Sequence, residues 1–163
     1  MASRPTSETS SRSSTSRTAS AEEVRAHSAL HVLMGAVTQT LGPQRFTFGN
    51  AWVLKFRGEG VLTPQEVAKI ETAANRKVAE DSEILEFTMD RQEAESHFGT
   101  SIYDVSAVPP NASLLRIVRI PDWDVSCCSM AHVESTGSIG AIRIDQAQFA
   151  ETSEEIELRF RLL

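Results

Sequence analysis

Cysteine, histidine and long apolar runs are all scarce in this chain, and each scarcity excludes something. Its 163 residues hold two cysteines, Cys127 and Cys128, adjacent in sequence. Neighbours cannot build a disulfide framework, so a reducing, intracellular compartment is expected. No charged-then-apolar secretory leader is visible, and no apolar run approaches the roughly 18 residues of a membrane span. A soluble, cytoplasmic protein with no membrane partner is therefore expected. No period of about 20–50 residues repeats, which sets aside solenoid and propeller architectures. Positive charge is also in short supply: the net charge is −6, which counts against an indiscriminate nucleic-acid or DNA binder. Arg25, Arg45, Arg116, Arg119, Arg159 and Arg161 are the candidates for a local basic surface.

The first twenty residues, MASRPTSETSSRSSTSRTAS, contain no Leu, Ile, Val or Phe. Nothing there offsets the entropy of ordering, so residues 1–21 are expected to form a flexible tail and residues 22–163 a single domain. The Arg- and Ser-rich composition also suits a transit peptide, but the apolar face such a helix needs is missing. In the domain, residues 21–41 carry Val24, Leu30, Val32, Leu33, Val37 and Leu41 at helical spacing, and Gly42-Pro43 ends the run. A second helix starts cleanly at Thr63, with Pro64 at its first position and Glu66 closing a capping box. Val67, Ile70, Ala74 and Val78 line its apolar face. Asp90 and Glu93 repeat the capping logic for a shorter helix ending at Gly99. Strands are expected at 52–56, 83–89, 114–120, 139–145 and 156–163, the last alternating Ile156, Leu158, Phe160 and Leu162 with charged residues. The mixture implies an α+β fold, with helices packed on one mostly antiparallel sheet.

The histidines are distributed unevenly. Of four, His27 and His31 stand four apart in RAHSALH, and His132 closes CCSMAH, which also holds both cysteines. Residues four apart on a helix share a face, with Cβ atoms about 5–6 Å apart. Two imidazoles so placed can point at one ion. Cys128 and His132 have the same spacing, in a segment that is either a turn or a short helix. Three imidazoles and a thiolate form a good tetrahedral donor set for zinc. Either pair alone arises often by chance; together they leave only His97 outside, near a helix end where a solvated histidine is ordinary. Adjacent side chains point apart, so the spacing favours Cys128 as ligand and leaves Cys127 to the core. After His132, Thr136-Gly137 and Ile139-Gly140 read as a glycine-containing turn into a strand, or as a place where backbone approaches a ligand closely.

These blocks resemble a known family. RAHSALHVLMGAV and DWDVSCCSMAHVESTGSIGAIRI are similar to the two signature blocks of the alanyl-tRNA synthetase editing domain and of its free-standing relatives, the AlaX proteins. In that family H-x-x-x-H on a helix is followed by C-x-x-x-H and T-G-x-I-G. RQEAESHFG, SIYDVSAVP and LLRIVRIPDWDV resemble the stretch before the second block in the shortest AlaX type, so the likeness covers 22–163. It implies the fold of the threonyl/alanyl-tRNA synthetase second additional domain. It further implies a zinc-dependent hydrolase, acting in trans as a monomer, that cleaves serine or glycine from mischarged tRNA(Ala). Carried over residue by residue, His27, His31, Cys128 and His132 would hold Zn2+. Thr47, in RFTF, would stand near the substrate, and Thr136 and Gly137 would shape the pocket floor.

The chain departs from the family in two places. Ser129-Met130-Ala131 replaces the synthetases' Gly-Gly-Thr between the ligands. Ser138 replaces the acid of T-G-E-I-G, which leaves the general base without a candidate. Two other readings follow from the same residues. One is the threonyl-synthetase type of the domain, acting on Ser-tRNA(Thr). The other is a non-enzymatic interaction domain in which zinc only staples helix to sheet.

Overall fold

In the computed structural model, which describes residues 19–104 and 108–163, the first helix opens with a reciprocal cap. The Ser20 hydroxyl accepts from the Glu23 N–H at 3.1 Å, and the Glu23 carboxylate accepts from the Ser20 N–H at 2.9 Å. Helix α1 (Ala21–Leu41) follows and stops at Gly42, whose φ of 91° few other residues adopt. Of the expected tail, residues 1–21, residues 1–18 lie outside the described residues, while Ser20 caps α1 and Ala21 opens it.

Helical spacing predicted one apolar face for α1, yet every residue from Ala26 to Val37 is buried. The cause is tertiary. Helix α2 (Pro64–Glu80), strands of both sheets and a 3₁₀ turn at Thr136–Ile139 pack around α1, so no side of its middle meets water. Helix α2 has the expected Thr63–Glu66 capping box. It buries Ile70 and Ala74, while Val67 and Val78 pack half-buried on the same core. Its polar side chains also serve a strand edge. The Asn75 amide donates to the Ile142 carbonyl and accepts from the Ile142 N–H, each at 2.8 Å, and Glu71 accepts from the Ile144 N–H at 2.7 Å. Backbone groups that would otherwise face outward from an edge strand are thereby satisfied.

The strands form two antiparallel sheets, where one was expected. In the first, β1 (Phe46–Asn50), β2 (Val53–Arg57), β7 (Glu155–Leu162) and β6 (Ile142–Ala150) lie side by side in that order. In the second, β4 (Leu114–Ile120) lies between β3 (Leu85–Asp90) and β5 (Asp124–Cys127). Strand β4 explains the second sheet, because it is apolar on both faces. Val118 and Ile120 enter the main core around α1. Leu115 and Ile117 join Ala94, Ile102 and Cys127 in a smaller core under helix α3 (Arg91–Phe98). Asp90 caps α3 by accepting from the N–H groups of Gln92 and Glu93. Strand β6 starts at Ile142, three residues later than its sequence signal, because Thr136–Ile139 are taken up by the 3₁₀ turn. No helix among the described residues is long and apolar enough to cross a membrane.

Candidate metal centre

Helix α1 places His27 and His31 on one side of its buried middle, where Phe48 of β1 packs edge-on to both rings, with centroids 5.2 and 6.0 Å away. Strand β5 ends at Cys127, and the chain then runs without regular structure through His132 toward α1. The segment is not a helix, so Cys128 and His132 meet through a loop rather than through one face. Cys127 turns into the smaller core and Cys128 into the main one, as alternation about the strand end requires. Ser28 fastens the loop to α1: its hydroxyl accepts from the Val133 N–H at 2.9 Å and donates to the Val24 carbonyl at 2.7 Å.

The result is a cluster of His27, His31, Cys128 and His132 whose ligand atoms all lie within 4.8 Å of one another. The four residues named from spacing are brought together, across about a hundred positions of sequence. His27 Nε2 stands 3.0 Å from Cys128 Sγ. The outer nitrogens of the other two rings are engaged by carboxylates: His31 Nδ1 by Asp124 at 3.1 Å, and His132 Nδ1 by Glu86 at 2.7 Å. Their inner nitrogens, His31 Nε2 and His132 Nε2, are buried and have no hydrogen-bond partner. Buried polar atoms are rarely left so. Two orphaned nitrogens facing a thiol and a third imidazole fit a metal cation. Carboxylates behind the rings are the arrangement that orients histidine ligands.

The electrostatics of the cluster follow from burial and from how closely its groups are packed. Burial opposes charge on Cys128, but the His132, His27 and His31 imidazoles gathered around its sulfur outweigh it and hold the thiol at about 3. The lowered pKa favours the thiolate, the form that binds metal. Burial likewise works against charge on His31, yet Asp124 and Cys128 beside it carry its pKa up to about 9, so a bound metal would displace a proton there. For His27 burial prevails and lowers its pKa. Burial pushes the Cys127 thiol up to about 11, in keeping with a core residue. A tetrahedral set of three nitrogens and one sulfur suits zinc.

Beside the cluster lies a cavity of about 420 Å³. His27 and Cys128 form its inner end, Leu30 and Phe48 line it with apolar surface, and exposed Asn50 and Ser129 lie where it opens. The remaining sequence candidates stand elsewhere. Thr47 is exposed on β1, pairs with Lys55 across the ladder, and points away from the side that holds Phe46 and Phe48. Thr136 and Gly137 do not line the cavity. They tie the 3₁₀ turn to the end of α2: the Thr136 hydroxyl donates to the Lys77 carbonyl at 2.7 Å and accepts from the Ser82 N–H at 2.8 Å. The Gly137 N–H donates to Asp81 Oδ1 at 3.0 Å, and a Cβ at Gly137 would lie 2.3 Å from that oxygen. Thr136 thus satisfies backbone groups at the end of α2, and Gly137 leaves room for the Asp81 carboxylate. His97 is exposed, as expected. Of the arginines, Arg25 binds the Ile139 carbonyl, Arg45 pairs with Asp104, Arg161 pairs with Asp145, Arg116 lies against the loop, and Arg159 shares the exposed face of β7 with Arg161.

Sequence reasoning missed Asp124, Glu86 and Phe48, since nothing in their spacing ties them to the histidines. Asp124 also accepts from Ser126 Oγ at 3.1 Å, which steadies it. Asp124→Asn is expected to lower zinc affinity about tenfold to a hundredfold, measured by competition with a chromophoric chelator. An unchanged affinity would remove Asp124 from the site.

The fold and the cluster define the class: an α+β domain with a His/Cys centre shared between a helix and a loop. Residues 115–156 match the family described as the threonyl and alanyl tRNA synthetase second additional domain. The chain is similar to the alanine–tRNA ligase of Thermofilum pendens, 36% identical over 126 residues, which is 74% of this chain and 14% of that protein. It is similar also to the alanine–tRNA ligases of Pyrococcus abyssi and Thermococcus kodakarensis, each 34% identical over 128 residues, or 76% of this chain and 14% of theirs. The chain therefore corresponds to a short part of those proteins' length. It is related to the alanine–tRNA ligases through this domain, in agreement with an AlaX-like editing-domain family.

Proposed function

We propose that this domain clears wrongly attached amino acids from tRNA, hydrolysing the ester that joins serine or glycine to the terminal adenosine of tRNA(Ala). The observation that carries the reading is the four-residue cluster, with its two unpartnered imidazole nitrogens, at the inner end of a cavity large enough for an aminoacyl group. Kinship with the alanine–tRNA ligases supports tRNA as the partner. His27, His31, Cys128 and His132 would hold zinc, which supplies Lewis-acid chemistry beside an ester carbonyl. The protein is taken to work as a monomer in the cytoplasm.

The chain's own residues contribute orientation and selectivity. Leu30 and Phe48 keep the inner end of the cavity dry, which strengthens polar contacts made there. Serine differs from alanine by one hydroxyl, and a site built to bind that hydroxyl leaves its own polar groups unpaired when alanine enters. Asn50 and Ser129, which line the cavity, replace Thr47 as the candidates for that contact. The Asn50 carbonyl oxygen already accepts from the Trp52 N–H at 2.7 Å, so its amide NH2 is the group left to donate.

One further reading has an observation in its favour: four protein ligands also suit a structural zinc. Deacylation decides between them. Purified protein of measured zinc content is incubated with Ser-, Gly- and Ala-tRNA(Ala) and with Ser-tRNA(Thr). The expected result is loss of serine from tRNA(Ala), with alanine spared about a hundredfold or more. Intact esters, with zinc bound and the chain folded, would leave a zinc-stapled interaction domain. Preference for Ser-tRNA(Thr) would move the protein to the threonyl type.

A further inference from the structure

The helical half of the metal cluster is rigid by construction, since His27 and His31 are carried by a buried helix. The other half is a loop, and loops do not hold side chains to a fraction of an ångström unaided. One side chain reaches most of this one. Arg116 Nη1 donates to the Cys128 carbonyl at 2.7 Å and to the Met130 carbonyl at 3.0 Å. Its Nη2 pairs with Glu86 Oε1 at 3.1 Å, and the other oxygen of Glu86 accepts from His132 Nδ1 at 2.7 Å. The backbone of Arg116 joins in, because its carbonyl accepts from the Cys128 N–H at 3.1 Å. Cys128 is thus held at both its N–H and its carbonyl by one residue, and His132 is held by the carboxylate that the same guanidinium orients.

We propose that Arg116 is a positioning residue that preforms the loop half of the metal site, fixing Cys128 directly and His132 through Glu86. The proposal rests on the metal reading of the cluster and goes further, assigning the group that shapes the loop before any ion arrives. The bland alternative is a half-exposed surface ion pair, which is ordinarily worth little. Three features argue against it. No backbone N–H among the described residues takes the Cys128 or Met130 carbonyl, so the guanidinium is their partner. Strand β4 fixes where the side chain starts, because Arg116 lies opposite Thr88 and beside Ile117, which pairs with Cys127. The planar fork also reaches acceptors in several fixed directions at once, which an ammonium on a flexible stem does not.

The test uses Arg116→Met and Arg116→Lys in the full chain, with amide hydrogen exchange of the zinc-free protein and zinc affinity by chelator competition. Both variants should bind zinc about tenfold to a hundredfold more weakly. Exchange at the Cys128 and Val133 amides should speed up, while amides in the middle of α1 keep their protection. Glu86→Gln should weaken zinc binding alone but add little in an Arg116→Met background, because the two act in series. Should Arg116→Met fail to fold, Arg116→Lys carries the same comparison. Wild-type affinity and loop protection in the variants would overturn the proposal, and so would faster exchange spread equally over α1 and the loop. A wild-type protein that binds no zinc would overturn the metal reading, and exchange in the zinc-free chain would still judge the clamp.

Discussion

Replacing His31 with alanine should cost the protein its metal. His31 supplies one of four ligand atoms, and its Nε2 is buried without a hydrogen-bond partner. Structural zinc sites of this size bind with about 10–16 kcal/mol at neutral pH. Losing one ligand of four should therefore weaken affinity by on the order of 3 kcal/mol, about a hundredfold. Zinc should then leave during dialysis against a mild chelator that the wild type survives, and ester hydrolysis should fall with it. Stability of the zinc-free protein should change much less. An imidazole with an unsatisfied buried nitrogen is a burden there, so its removal offsets part of the packing it takes away. A variant that keeps its zinc but unfolds would show that His31 is a core residue and not a ligand.

Gly35→Ala should destabilise the protein beside the candidate ligands. Gly35 lies one turn beyond His31 on α1, and the indole of Trp123 rests against it. A Cβ built there would stand 2.2 Å from Trp123 Nε1. The same nitrogen donates to the Val32 carbonyl at 2.9 Å, so the ring cannot back away without losing that bond. Alanine would gain up to about 1 kcal/mol of helix propensity. Overpacking costs about 1–3 kcal/mol, and the lost hydrogen bond about 1 more. The steric term wins, with a net loss of about 1–3 kcal/mol and a thermal midpoint lower by roughly 2–12 °C. Because Trp123 precedes Asp124, which orients His31, zinc affinity should fall too. A calorimetric scan showing no drop would mean that the indole has room to move.

Much of the local structure was legible because its causes are local. The caps at Thr63 and Asp90, the stop at Gly42-Pro43 and the alternation in 156–163 each act within a few residues, and each appears in the fold. Strands β1 and β5 were not read from the sequence. The first is short and largely exposed, and the second is only four residues long, so neither has a strong apolar pattern. The division into two sheets was also hidden. Nothing in LLRIVRI says that its two faces enter two different cores.

The ligand set divides along the same line. His27 and His31 were determined by the sequence itself, because a helix of 3.6 residues per turn stacks residues four apart whatever surrounds it. Cys128 over Cys127 also followed from local geometry, since neighbouring side chains at a strand end diverge. The joining of these pairs did not. It depended on β5 delivering its loop against α1, with Ser28, Arg116, Asp124 and Glu86 fixing the approach from three separate elements and the loop's own flank. Thr47 turned outward for a related reason: strand alternation gave the inward positions of β1 to Phe46 and Phe48, and which parity faces the core is set by the sheet that β1 joins. Short-range spacing is enforced by backbone geometry alone, whereas contacts across a hundred residues exist only once the core has packed.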